Sequence, residues 1–170
     1  MDLKAYIRDI PDFPKPGILF RDITPLLANA KALAAAIDAM REPFVGQGID
    51  VVAAVEARGF IFGAAVARAL NAGFVPIRKK GKLPFRTHSV RYGLEYGEDV
   101  VEVHSDAVAA GTKVLMIDDL LATGGTMTAA CELIEKLGGE IAGLTFLIEL
   151  ADLKGRDSLK KYSIHSVITY

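Results

Sequence analysis

The 170-residue chain has no tryptophan, one cysteine and three histidines. A single thiol, Cys131, excludes a disulfide framework and any zinc site built from several cysteines. His88, His104 and His165 share no ligand spacing. An excess of either charge is also missing. Lys plus Arg number 20 and Asp plus Glu 21, for a formal charge of −1. That balance argues against a nucleic-acid binder relying on bulk positive charge, and leaves room for a local basic site for a small anion. The longest apolar stretch, Gly59 to Ala67, lies between Arg58 and Arg68 and is too short to span a bilayer. Asp2, Lys4, Arg8 and Asp9 fall where a secretory signal would begin, so none is expected. One cysteine and scattered histidines suit a reducing cytoplasm.

What is present is a core. Hydrophobic residues make up 51% of the chain, which excludes disorder. The length favours one domain over 1–170, large enough to bury roughly 70% of its unfolded surface.

Three prolines and a glycine in Ile10–Gly17 predict an extended loop, followed by an arm or short strand over 18–23. Thr24-Pro25 reads as a helix start. Leu26, Leu33, Ile37, Met40 and Phe44 recur at helical spacing, predicting one helix over about 25–42. Buried strands are expected at 51–55, 74–78, 114–117 and 141–150, with helices at 60–71 and 126–137. Pro76 suggests that its strand lies at an end or edge. Val90–Tyr96 and Val100–His104 alternate like an antiparallel pair turning at Gly97-Glu98-Asp99. A short polar helix over 154–161 and a last strand over 163–169 complete the pattern. The alternation implies an α/β fold, a mostly parallel central sheet flanked by helices.

Ligands of such sheets bind beyond the carboxyl ends of the strands. Three polar features fall there: Glu56-Ala-Arg-Gly59, Arg78-Lys-Lys-Gly-Lys82 and Asp118-Asp119. The sharpest is the run from Val114 to Thr126, an apolar strand ending in two carboxylates, then Thr123-Gly-Gly-Thr126 at a helix start. Glycines let backbone N–H groups converge on a phosphate, threonine hydroxyls add donors, and the helix N-terminus adds partial positive charge. No lysine of the Walker type follows, so one phosphate is expected here and not a triphosphate chain. The carboxylates would repel that phosphate, but they accept hydrogen bonds from vicinal hydroxyls. A phosphate cradle beside a diol clamp describes a ribose 5-phosphate site. An ordinary capped turn is the plainer alternative, and the paired carboxylates weigh against it. Arg58 could simply pair with Glu56, and Cys131 reads as a small core residue.

Asp118 to Thr126 resembles the phosphoribosyl-diphosphate (PRPP) signature of the type I phosphoribosyltransferases. Phe13–Asp22, Glu56–Phe60, Arg78–Pro84 and Leu94–Gly97 together resemble the adenine phosphoribosyltransferase family, from about residue 6 to the C-terminus. The resemblance implies a type I phosphoribosyltransferase-like fold with an N-terminal hood or arm over 1–24 and a mobile lid over 79–99. It implies purine salvage: adenine plus PRPP giving AMP plus pyrophosphate. Mg²⁺ would be held mainly by PRPP, pyrophosphate and water, and a homodimer is expected. Ala122, Thr123, Gly124, Gly125 and Thr126 should hold the 5-phosphate. Asp118 and Asp119 should take the ribose hydroxyls, directly or through metal-bound water. Arg58, Arg78, Lys79 and Lys82 should face pyrophosphate, Arg78 across a dimer interface. A cis peptide not involving proline is expected in the Arg58 loop. Phe20 should stack on adenine, with the backbone of Leu19 and Arg21 reading its edge. Glu95, beside Tyr96, is the expected general base or hydrogen-bond acceptor, and Arg58 the second catalytic residue.

A 6-oxopurine phosphoribosyltransferase and a PRPP-sensing regulator are the alternatives, and the Phe20-Arg21 and Glu95-Tyr96 pairs disfavour the first. The regulator would need a nucleic-acid-binding domain or basic face, for which the length and charge leave little room. A dinucleotide-binding oxidoreductase lacks its G-x-G-x-x-G. Neither a nucleic-acid nor a membrane partner is expected.

Overall fold

A computed structural model describes residues 1–94 and 97–170. Its contacts divide into two compact units, Met1–Ala39 and Met40–Tyr170.

In the first unit, β1 (Arg8–Pro11) pairs antiparallel with β2 (Leu19–Asp22), Ile10 lying opposite Phe20. Arg8 donates to Asp22 at 2.9 Å, and Arg21 forms an ion pair with Asp9. The expected single helix is two, α1 (Thr24–Ala28) and α2 (Ala30–Arg41). The break is chemical. The Asn29 side-chain oxygen accepts from the N–H groups of Lys31 and Ala32, which caps α2 and restarts the helix. At the start of α1, Asp22 does the capping: its carboxylate accepts from the N–H of Thr24 at 2.9 Å and from its hydroxyl at 2.8 Å. Those bonds hold the Asp22 carboxyl below the usual aspartate range. Within this unit α2 buries Ala32 and Ala36, one turn apart, while Leu33 and Ile37 are only half-buried.

The second unit is built on seven strands in the order β5-β6-β4-β3-β7-β8-β9. These are β3 (Val51–Val55), β4 (Gly73–Lys79), β5 (Thr87–Leu94), β6 (Gly97–His104), β7 (Lys113–Leu121), β8 (Glu140–Glu149) and β9 (Ile164–Thr169). From β4 to β9 every pairing is parallel. The β5–β6 hairpin joins antiparallel to the end of β4, through Arg78 opposite Glu102 and Lys79 opposite Val101. Pro76 therefore sits inside the sheet and not at its edge. It is tolerated because β6 pairs only with the last two residues of β4. Both hairpin strands are longer than expected, and Gly97–Asp99 belong to β6. The expected helix at 154–161 is a 3₁₀ turn, Gly155–Leu159.

The alternating faces of the sheet are covered separately. α4 (Gly125–Lys136) lays Met127, Ala130, Cys131, Leu133 and Ile134 against Ala53, Val55, Ile77, Met116 and Phe146. Cys131 is the core residue expected, its thiol pushed up to about 12 by burial. α3 (Gly59–Leu70) covers the other face with Phe62 and Val66. Among the described residues, no helix is long and apolar enough to cross a membrane.

Gly63 is where α3 meets the sheet. A Cβ there would lie 2.6 Å from the Cβ of Ala54 and 2.9 Å from the Phe74 ring. Gly63→Ala therefore sets about 1 kcal/mol of gained helix propensity against overpacking of about 1–3 kcal/mol. The second wins, because Ala54 belongs to a strand hydrogen-bonded on both sides. Urea unfolding is expected to show a net loss of stability; a raised midpoint would mean that helix and sheet are not closely seated.

Candidate active site

The chain leaves β3 toward β4 through α3 on one side, and the other neighbour of β3 is β7. The carboxyl ends of β3 and β7 thus form a topological switch point, where the loops diverge and leave a crevice. A cavity of about 400 Å³ lies there. Its walls are Glu56, Ala57 and Arg58 after β3, Lys79 at the end of β4, Tyr92 of β5, Asp118 and Asp119, and the whole turn from Ala122 to Thr126.

Both carboxylates belong to β7 itself, which continues to Leu121 and does not end at Ile117. Asp118 pairs with Phe146 of β8, which fixes its backbone. Its Oδ1 accepts from the N–H of Asp119 at 2.8 Å. α3 begins close by, and a Cβ on Gly59 would come within 2.8 Å of that same oxygen. Arg58 places its Nε 2.8 Å from Asp119 Oδ2. The alternative pairing of Arg58 with Glu56 is thus replaced by one across the sheet. Glu56 looks the other way. Its Oε1 accepts from the N–H of Lys79 at 2.6 Å, and its Oε2 from Arg78 at 3.4 Å. The peptide between Glu56 and Ala57 is cis and involves no proline, as expected for this loop.

The turn into α4 is shaped for an anion. Gly124, with φ +87°, takes the left-handed conformation that favours glycine, and no side chain caps the helix. The first N–H groups of α4 are accordingly without intrahelical partners and sit at the cavity wall. The turn is buttressed from behind. Thr128 donates to the Gly124 carbonyl at 2.8 Å, and a Cβ on Gly124 would meet the Gly155 carbonyl at 2.6 Å. A Cβ on Gly155 would in turn collide with the carbonyl of Ala122. Nothing in the local pattern of 154–161 signals this support.

Arg58, Lys79, Asp118, Asp119 and Ala122–Thr126 are thus brought to one cavity. Arg78 and Lys82 are not among its lining residues. Arg78 is drawn to Glu56, with its Nη1 3.4 Å from the Lys82 carbonyl, and Lys82 is exposed on the following loop. Leu19, Phe20 and Arg21 lie on β2 of the first unit, Leu19 exposed and Phe20 edge-on to Phe13 at 5.1 Å. Glu95 and Tyr96 lie outside the described residues. Tyr92 is the contribution that sequence reasoning missed, and Glu56, named there only as part of the Arg58 loop, turns out to hold Lys79 and Arg78. Tyr92 is one of several alternating residues on its strand, and only pairing with β6 sets it at the wall.

Paired carboxylates, two cations and an uncapped helix start around one crevice are the parts of a site for a phosphorylated sugar. The phosphoribosyl transferase domain family matches residues 21–169, and that is the class of the fold and site. Curated relatives narrow it. The adenine phosphoribosyltransferase of Rhodopirellula baltica is 59% identical over 170 residues, covering 100% of this chain and 82% of its own. That of Methylococcus capsulatus is 58% identical over 168 residues, covering 99% and 98%. The solved adenine phosphoribosyltransferase of Thermoanaerobacter pseudethanolicus superposes with a TM-score of 0.97 at 51% identity, over 99% of this chain and 98% of that one. The Saccharomyces cerevisiae enzyme, solved with adenine and an imino-altritol bisphosphate, gives 0.93 at 40% identity, over 98% and 96%. The chain belongs to the adenine phosphoribosyltransferases, a family of pentosyltransferases.

The carboxylate pair has a consequence for stability. Burial, then the neighbouring Asp119, push the Asp118 carboxyl well above the aspartate range. Burial raises Asp119 too, against the pull of Arg58. A carboxyl with a raised pKa in the folded state stabilises the fold fully below its unfolded pKa, about 3.9, and loses that contribution as pH rises through the folded value. Ionisation of the pair therefore opposes folding. Asp118→Asn keeps the acceptor for the Asp119 N–H and removes one charge. Its melting temperature is expected to exceed the parent's at pH 7.5, with the gain shrinking as pH falls toward the unfolded aspartate value. Calorimetry at both pH values checks this; an equal gain at both, or a loss at pH 7.5, contradicts it.

Proposed function

We propose that this chain transfers the phosphoribosyl group of PRPP to adenine, releasing pyrophosphate and forming AMP, as a purine-salvage enzyme. The observation that carries the reading is the convergence of the Asp118-Asp119 pair, Arg58, Lys79 and the uncapped start of α4 on one cavity. Each charge has a place in this chemistry. The N–H groups and hydroxyls of Ala122–Thr126 take the 5-phosphate, and Asp118 and Asp119 accept from the ribose hydroxyls. The bond from the ribose C1 to the pyrophosphate oxygen breaks, and a bond from C1 to the adenine N9 forms. The transition state carries positive charge at the sugar, so the protein acts by positioning and by stabilising separated charge. Arg58 and Lys79 receive the charge that collects on pyrophosphate. Lys82 adds to it from the following loop, and Arg78 from the partner subunit of a homodimer.

Glu95 accepts the proton that adenine N9 loses, on a lid over 79–99 whose closure excludes water. Phe20 stacks on the base, and the backbone of Leu19 and Arg21 reads its amino edge. That adenine is the base is supported by the yeast relative solved with adenine and by a Giardia lamblia relative solved with 9-deazaadenine at 38% identity. Asp118 and Asp119 present hard oxygen donors at the cavity, which fits Mg²⁺ reached through water. The ion would offset charge on the diphosphate. Residues 1–170 are read as one phosphoribosyltransferase domain, acting in the cytoplasm on small molecules, with neither a nucleic-acid nor a membrane partner.

The decisive experiment is pyrophosphate release from PRPP and Mg²⁺ with adenine, hypoxanthine, guanine and xanthine offered separately. Release with adenine alone, with AMP as co-product, is expected. Release with another base would overturn Phe20 and Glu95 as adenine determinants. No release with any base, while PRPP binds, would bring forward a PRPP sensor. Arg58→Ala and Glu95→Ala are each expected to lower kcat by about 10²-fold or more with the melting curve retained. An unchanged rate removes that residue from the mechanism. Asp118→Ala and Asp119→Ala are expected to weaken PRPP more than adenine in calorimetry; the reverse order overturns the diol clamp.

A further inference from the structure

Both cations on the cavity wall already have an anionic partner. Arg58 is paired with Asp119, which itself faces the cavity. Lys79 is paired with Asp99, which is not among the residues lining it. The second pair is a product of strand register. Tyr92 of β5 lies directly opposite Asp99 of β6, and Lys79 of β4 lies opposite Val101, two residues along from Asp99. Lys79 and Asp99 are thus diagonal neighbours across the sheet, within reach of a long side chain. The Tyr92 hydroxyl closes the triangle, accepting from Lys79 Nζ and donating to Asp99 Oδ2, each at 3.3 Å.

We propose that Asp99 is a positioning residue, a resident counter-ion that competes with pyrophosphate for Lys79 and so keeps the leaving group from being held too firmly. The inference rests on the reading of Lys79 as a pyrophosphate ligand. Three contacts suit Asp99 to this. Its Oδ1 accepts from the N–H of Val100 at 2.8 Å, and Tyr92 steadies its Oδ2, so the carboxylate keeps its place when the ammonium swings away. The backbone of Lys79 is fixed by its 2.6 Å bond to Glu56, so only the flexible stem moves. An entering diphosphate draws the ammonium into the cavity. Asp99 then offers it a partner to return to, which lowers the net gain from holding the product. The pair is partly exposed, Lys79 by 42% and Asp99 by 27% of their side chains, so the competition is modest in size and adjustable.

The test is a double-mutant cycle on the full chain, with pyrophosphate and Mg²⁺ titrated calorimetrically into the parent, Asp99→Asn, Lys79→Met and the double variant. Asparagine keeps the acceptor for Val100 and removes the charge. Asp99→Asn is expected to tighten pyrophosphate roughly 2–5-fold, the range of a partly exposed pair, and to lower the KM for PRPP while leaving that for adenine unchanged. In the Lys79→Met background the same substitution is expected to change nothing, which a general structural role would not produce. If Lys79→Met weakens pyrophosphate while Asp99→Asn leaves it unchanged or weaker, the counter-ion role is overturned. If Lys79→Met leaves pyrophosphate binding unchanged, the pyrophosphate reading of Lys79 is what fails, and Asp99 loses its role with it. Should Asp99→Asn melt early, Tyr92→Phe tightens pyrophosphate by a smaller factor, and no shift there overturns the proposal.

Discussion

Two aspartates on consecutive residues at the buried end of β7 are the constraint on which the rest of the site depends. Like charges at that distance in a poorly solvated place oppose folding unless something answers them. Arg58 answers Asp119 from the start of α3, and the Asp119 N–H answers Asp118. α3 must begin there, and it begins on a glycine because a side chain would run into Asp118. The carboxyl ends of β3 and β7 are neighbours because the two strands pair in parallel. The carboxylates, the arginine and the helix start meet only because that pairing exists.

This arrangement is costly without a ligand and useful with one. On the proposed function, a sugar with vicinal hydroxyls would supply donors to the carboxylates, and its phosphate the anion for the uncapped start of α4. Behind the turn, a side chain on Gly124 would meet the Gly155 carbonyl and one on Gly155 the Ala122 carbonyl and Leu121, so neither position can carry one. The support is steric and backbone-made, and it leaves the cavity side of the turn free for donors.

Much of this was legible in the residues. The run from Val114 to Thr126 carries its meaning locally, because a strand, a turn and a helix start in succession fix where their polar groups lie. The strands at 51–55 and 141–150 were equally plain, their β-branched and apolar runs being buried on both faces. Other features misled. The first helix reads as continuous because its alanines and leucines keep helical spacing, yet Asn29 stops and restarts it with its own side chain. Pro76 reads as an edge signal, yet it is interior, because β6 covers only the end of β4.

The strand–helix alternation, the glycine turn into α4 and the carboxylate pair follow from the residues alone, since each depends on positions within a turn or two of one another. It also carried enough of the family's motifs to name the chemistry. Which charges meet was settled by strand order and pairing in the folded chain. Arg58 chose Asp119 over the nearby Glu56, Glu56 took Lys79 and Arg78, and Lys79 found Asp99 and Tyr92 across two strands. Strand order and register select these partners. Both emerge from burying the sheet as a whole, and no local spacing encodes them.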